Sequence, residues 1–167
     1  LWDGDFEWQS AFADQYGWSE GYGFTLGNPV VGPTCRSGLK CARIPPSSFI
    51  LGIGMSSAVA ALYVGGWVKP DAGDCTTIEF VLLPDGIVND AFEAPVPPTS
   101  VEPGADGWCR YEVVAPQRDA KSFVYIGVPG GGSGAIADDI VLRRATDADA
   151  DRIQRIGAWV PGAELAA

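Results

Sequence analysis

Histidine is absent from this 167-residue chain. Without imidazole there is no Ser-His-Asp or Cys-His nucleophile, and catalytic zinc sites built on imidazole are excluded too. Acid–base chemistry would fall to carboxylates, Lys, Tyr or Cys. Positive charge is scarce: 11 Lys+Arg stand against 21 Asp+Glu, a formal net charge of −10. A phosphate backbone would be repelled and no basic cluster offsets this, so nucleic acid is not an expected partner. No apolar run reaches the roughly 18 residues of a membrane-spanning helix, so no membrane insertion is expected. The chain opens at Leu1 without a basic leader or an initiator Met, and reads as a mature or excised piece whose targeting segment is missing.

Apolar residues make up 47% of the chain, enough to argue against disorder and for one domain with a sizeable core. The 22 Gly and 13 Pro fall at intervals between short β-rich runs. These runs cover residues 49–55, 58–68, 76–83, 110–115, 122–128 and 135–142. Such spacing predicts an all-β fold, sandwich or barrel. Residues 83–107 read as loop, with Pro84, Pro95, Pro97, Pro98 and Pro103 among acidic residues. The glycine run 129–134 reads as a turn, because it lacks the Lys-Ser/Thr of a phosphate loop and precedes a strand. From Thr146 the composition changes. Thr146 and the acids Asp147, Asp149 and Asp151 can cap and open a short helix of a C-terminal tail. The expected division is therefore a β-domain over 1–145 and a helical or extended tail or linker over 146–167.

Alternate strand residues face opposite sides. Leu62, Val64, Gly66 and Val68 then form a core face, while Tyr63, Gly65, Trp67 and Lys69 face out. By the same phase, Glu79 and Tyr125, with Phe123, lie on outer faces, and Trp108 reads as core. The four cysteines, Cys35, Cys41, Cys75 and Cys109, lack the close pairs of a structural zinc site. Disulfides suit them better, and three pairings are open. Spacing favours Cys35–Cys41 around a tight turn, with Cys75–Cys109 tying two strand starts. Closing the longer loop is worth roughly 3–4 kcal/mol on the chain-entropy model.

Two stretches place carboxylates inside apolar strand-like runs: Gly4-Asp5-Phe6-Glu7 and Ala137-Asp138-Asp139-Ile140-Val141-Leu142. Burying an unpaired charge is costly, and a hard cation shared by the first and last strands would remove that cost. In this phase Asp138 goes with Ile136, Ile140 and Leu142 and faces inward, while Asp139 faces out. The alternative is that Asp138 accepts backbone N–H bonds or pairs with Arg43.

The order of motifs carries a resemblance. Asp3-Gly4-Asp5-Phe6-Glu7 and Gly17-Trp18 come first. Ser37-Gly38-Leu39-Lys40-Cys41-Ala42-Arg43-Ile44 and Leu62-Tyr63-Val64-Gly65-Gly66-Trp67-Val68-Lys69 follow. Gly107-Trp108-Cys109-Arg110-Tyr111 and Ala137-Asp138-Asp139-Ile140-Val141-Leu142 close the series. Over residues 2–144 this resembles the jelly-roll carbohydrate-binding modules attached to secreted bacterial xylanases and glucanases. Asp3 stands where that family usually has Asn, and cysteines replace common turn residues. The resemblance implies a two-sheet antiparallel β-sandwich with a structural calcium. By position, Gly4, Asp5 and Leu39 would offer carbonyls, and Glu7 and Asp138 carboxylates.

It further implies a non-catalytic module of a secreted or cell-surface protein, binding a polysaccharide or glycan beside neighbouring domains. Its ligand contacts would come from outward aromatics and their polar neighbours: Trp67, Tyr63, Tyr125, Trp18 and Glu79. The alternative is a structural or adhesive β-sandwich without a sugar ligand. An enzyme working through paired carboxylates ranks third, since no spacing marks a pair.

Overall fold

The computed structural model describes residues 35–52, 55–56, 61–85, 87–88, 91–92, 95–115, 121–149 and 151, with strand pieces at 18–19 and 29–31. In chain order the strands are β1 (Trp18–Ser19), β2 (Pro29–Val31), β3 (Lys40–Ile44), β4 (Phe49–Gly52), β5 (Met55–Ser56), β6 (Leu62–Pro70) and β7 (Glu79–Asp85). They continue with β8 (Ile87–Val88), β9 (Ala91–Phe92), β10 (Ser100–Pro103), β11 (Cys109–Ala115), β12 (Lys121–Gly127) and β13 (Ala135–Arg144). A six-stranded sheet runs β10-β11-β6-β13-β3-β2. A five-stranded sheet centres on β12, with β4, β5 and β7 as its neighbours and β1 beyond β4. A small β8–β9 hairpin stands apart. The strand pairs are antiparallel. The architecture is the expected all-β sandwich of jelly-roll type.

Period-2 alternation builds the core. Leu62, Val64 and Val68 of β6 meet Val113 and Tyr111 of β11 on one inner face. Ile50, Phe80, Leu82, Val124 and Ile126 supply the other. The Phe80 and Tyr111 rings stack across the sandwich at 5.1 Å. The Tyr111 hydroxyl is not stranded there, since it donates to the Cys75 carbonyl at 2.6 Å. Gly66 is required by this packing: a Cβ would fall 2.3 Å from Ile140 Cδ1.

Both disulfides pair as the spacing favours, Cys35–Cys41 and Cys75–Cys109. The second joins β11 to the 3₁₀ turn Cys75–Thr77. That turn is capped by Asp74, whose side chain accepts from Thr76 N at 2.8 Å. The expected strand over 76–83 therefore starts later, at Glu79; of the run 58–68, residues 58–60 lie outside the described residues, and Leu62–Val68 belongs to β6, which continues to Pro70.

Residues 83–107 are not loop throughout. β7 extends through Asp85, Val96 bridges to Leu82, and Ser100–Pro103 forms an edge strand on β11. Pro103 is compatible with a strand because it stands at the end of an edge, where a missing N–H is tolerated. The resulting hairpin is closed by Gly104 N–H donating to Trp108 O at 2.7 Å and Trp108 N–H donating to Ala105 O at 3.1 Å.

At the chain's far end, residues 147–149 are helical. Thr146 and Asp149 cap each other, with Thr146 N donating to Asp149 Oδ2 at 2.8 Å and Asp149 N to Thr146 O at 3.0 Å. Residues 152–167 lie outside the described set.

Candidate functional site

The expected ligand residues divide between the two outer faces. Trp67 and Tyr63 belong to the six-stranded sheet, and Tyr125 and Glu79 to the five-stranded one. Trp18 joins the five-stranded sheet through β1, for which only the strand pairing is described. Trp67 and Tyr125 therefore cannot touch one ligand face.

The two tyrosines share one construction. Tyr63 lies across Gly65, two residues on, where an added Cβ would meet its hydroxyl at 2.4 Å. Opposite Gly65 on β11 stands Glu112, which accepts from that hydroxyl at 2.5 Å. Tyr125 lies across Gly127 in the same way, at 2.6 Å from an added Cβ. Opposite Gly127 on β7 stands Glu79, which accepts from the Tyr125 hydroxyl. Each phenol is thus laid flat on its sheet by a glycine and held at its tip by a cross-strand carboxylate. Burial first, then the carboxylate partner, raises both phenol pKa values above the ordinary tyrosine value.

The outcomes differ because one ring is covered. The Arg143 guanidinium stands 4.2 Å over the Tyr63 ring and leaves that residue only 6% exposed. Arg143 is held there by both oxygens of Asp149, at 2.6 Å each. Tyr63 faces outward as its phase requires, but Arg143 covers the ring face expected to meet a ligand. Tyr125 stays half-buried, with Phe49 beside it at 4.9 Å and half-buried Leu51, Val81 and Phe123 on the same face. Glu79 is exposed. The Tyr-x-Gly spacing, at 63–65 and 125–127, was the sequence signal for this device. The covering role of Arg143 had no such signal.

Asp138 corrects the inward phase. It pairs across the ladder with Trp67, and Ile136 with Lys69, so both face the outer side of the six-stranded sheet. A bulge between Asp138 and Val141 adds one residue, with Asp139 in the left-handed region at φ 52°. That extra residue returns Ile140 to the core. Asp138 is fully buried beneath the turn 35–40 instead. Its Oδ2 accepts from Arg36 N at 2.9 Å and Ser37 N at 3.0 Å, and its Oδ1 from Asp139 N at 2.8 Å. Burial is the main reason its carboxyl is pushed up to about 6, with the Asp139 charge adding and the three N–H groups opposing. Arg43 pairs with Asp71. The backbone alternative thus accounts for the buried carboxylate without an ion.

Among the described residues no cluster of three potential ligand side chains forms a cation site. Gly4, Asp5 and Glu7 lie outside the described residues, and Leu39 is 68% exposed at the turn. One lone pair of Asp138 Oδ1 is left for a further partner.

The same turn builds a recess beside Trp67. Arg36 places its guanidinium 4.0 Å above the indole and donates to Asp139 Oδ2 at 2.9 Å. Trp108, read as core, is buried with Cys41 and Ile136 in a cluster of their own, with Trp67 against it. The hairpin after Pro103 closes the far side.

Neither a protein-family model nor any curated protein matches this sequence. Solved structures do. The CBM22-1 xylan-binding domain from Paenibacillus barcinonensis Xyn10C aligns with a TM-score of 0.56 at 12% identity, over 79% of this chain and 89% of that one. A family 16 carbohydrate-binding module aligns with a TM-score of 0.54 at 16% identity, over 81% of this chain and 98% of that one. The chain has the jelly-roll fold of carbohydrate-binding modules. At such identities the likeness concerns the fold, and the site must be argued from its own residues.

The Arg143–Asp149 pair yields a pH prediction. The hydrogen bond from Arg143 holds the Asp149 carboxyl well below the usual range. A depressed folded value gives stability that is present above the unfolded value of 3.8 and lost as pH falls through the folded one. Because Arg143 is 42% exposed, the pair is worth about 1 kcal/mol or less. Urea unfolding should show Asp149→Asn less stable than the parent at pH 7, with the gap narrowing progressively below about pH 4. A gap independent of pH would contradict the ion-pair account.

Proposed function

We propose that this chain is a non-catalytic carbohydrate-binding module of a secreted protein. Its polysaccharide would lie on the outer face of the five-stranded sheet. The observation that carries this is the Tyr125 ring, laid flat over Gly127 between Phe49 and the exposed Glu79. A flat aromatic face stacks on the C–H face of a sugar, and a carboxylate at its tip accepts from hydroxyls. Two disulfides support an oxidising, extracellular setting. A glycosidase is disfavoured on geometry: Glu79 and the buried Glu112 are on opposite outer faces and cannot flank one glycosidic bond.

Xylan is the polysaccharide to test first, since the family 22 neighbour is a xylan-binding domain. In affinity electrophoresis the parent chain should be retarded by a soluble xylan or β-glucan. Tyr125→Ala should weaken binding by about tenfold or more, the equivalent of about 1.4 kcal/mol. Gly127→Ala should weaken it as well, because the new methyl displaces the ring. Val101→Ser, at the edge of the other sheet, should not. Retardation unaffected by Tyr125→Ala would remove this face from the account.

Calcium belongs to the same proposal. Asp138 Oδ1, the Leu39 carbonyl and the opening Gly4, Asp5 and Glu7 form the candidate oxygen set. Chelator should lower the melting temperature by several degrees, and Glu7→Ala should abolish that response. A melt unchanged by chelator would leave Asp138 held by its backbone partners alone.

A further inference from the structure

We propose that the recess beside Trp67 is a second binding site, on the sheet opposite Tyr125, for a saccharide carrying carboxylates: a uronic acid residue. The recess measures about 530 Å³, within the roughly 300–1,000 Å³ typical of small-ligand sites. Trp67, Trp108 and Ile136 give it apolar walls, and Arg36, Lys69 and Asp106 its polar groups.

These polar groups are not equivalent. Arg36 is committed, stacked on Trp67 and paired with Asp139. Its backbone is fixed by Asp138, and its neighbour Cys35 by the disulfide to Cys41. It therefore acts as a rigid wall. Lys69 makes no ion pair among the described residues. It stands across the ladder from Ile136, half-buried at the margin of the recess. With Arg36 paired to Asp139, Lys69 is the lining cation left to receive a carboxylate, and Asp106 is the acid that faces it across the recess lining. Asp106, at the hairpin tip with φ 57°, offers acceptors for sugar hydroxyls. With the Trp67 face occupied by Arg36, a sugar ring meets the indole at its edge and not on its plane. Indole, ammonium and a separate carboxylate acceptor together fit a pyranose acid better than a free anion.

The inference stands independently of the Tyr125 face. Isothermal titration with an oligogalacturonate should show binding that weakens as salt rises. Its carboxyl-reduced, neutral counterpart should bind about tenfold or more weakly. Lys69→Met keeps the aliphatic stem and should cost about tenfold, the loss of one charge-assisted hydrogen bond. Its melting temperature should match the parent's, so that loss of fold is not the cause. Tyr125→Ala should leave oligogalacturonate binding intact even where it abolishes xylan binding. No binding of the acid, equal affinity for the neutral oligomer, or an unaffected Lys69→Met would overturn the proposal. Equal affinity for polyglutamate would also overturn it, since charge alone would then suffice. Loss of the signal in Tyr125→Ala would put the acid on the other sheet.

Discussion

A buried carboxylate organises one whole side of this sandwich. Asp138 is fully buried, and an ionised carboxylate in that position carries a desolvation cost of several kcal/mol unless its lone pairs are filled. Three backbone N–H groups, from Arg36, Ser37 and Asp139, occupy all but one of them. Two consequences follow. Strand β13 must bulge so that Asp139 can turn its N–H back onto its neighbour, and the turn 35–40 must lie down over the sheet. The Cys35–Cys41 disulfide holds that turn to β3 from its other end. Arg36 is thereby delivered onto Trp67. The recess is a by-product of satisfying one charge.

The opposite face obeys a different rule. There and on the first face, a tyrosine is laid over a glycine two residues on, with a glutamate across the ladder to receive its hydroxyl. What separates the two copies is a third group. Arg143, locked by Asp149 at the start of the tail, caps the Tyr63 ring. No cation caps Tyr125 among the described residues. Identical local chemistry thus yields a sealed structural contact on one sheet and an accessible aromatic plane on the other. A search for ligand platforms by strand phase alone cannot tell them apart.

Much of the fold was legible because period-2 alternation is a local property. The core face of β6, the outward phase of Trp67 and Tyr125, and both disulfides could be read from spacing. The misreadings arise where one residue changes the count or where a distant group intervenes. Asp139 in the left-handed region inserts a bulge, so Asp138 and Ile140 cannot share a face as strict alternation demands. Ser100–Pro103 reads as loop because Pro103, with Pro97 and Pro98 just before it, hides an edge strand. Tyr63 reads as a platform because Arg143 and Asp149, some 80 residues later, carry no signal at position 63. Opening residues Gly4, Asp5 and Glu7 fall outside the described residues, so the ion that the resemblance implies rests on the proposal alone.

The central claim is that the Asp138 carboxylate, through backbone N–H groups, pins the turn that shapes the Trp67 face. Amide hydrogen exchange measures this directly, because Arg36 and Ser37 lie in a segment with no strand ladder of its own. The account predicts that these two amides exchange as slowly as those of neighbouring strands, and that Asp138→Ala releases both together. Exchange of Arg36 and Ser37 at the unprotected rate in the parent protein would contradict it.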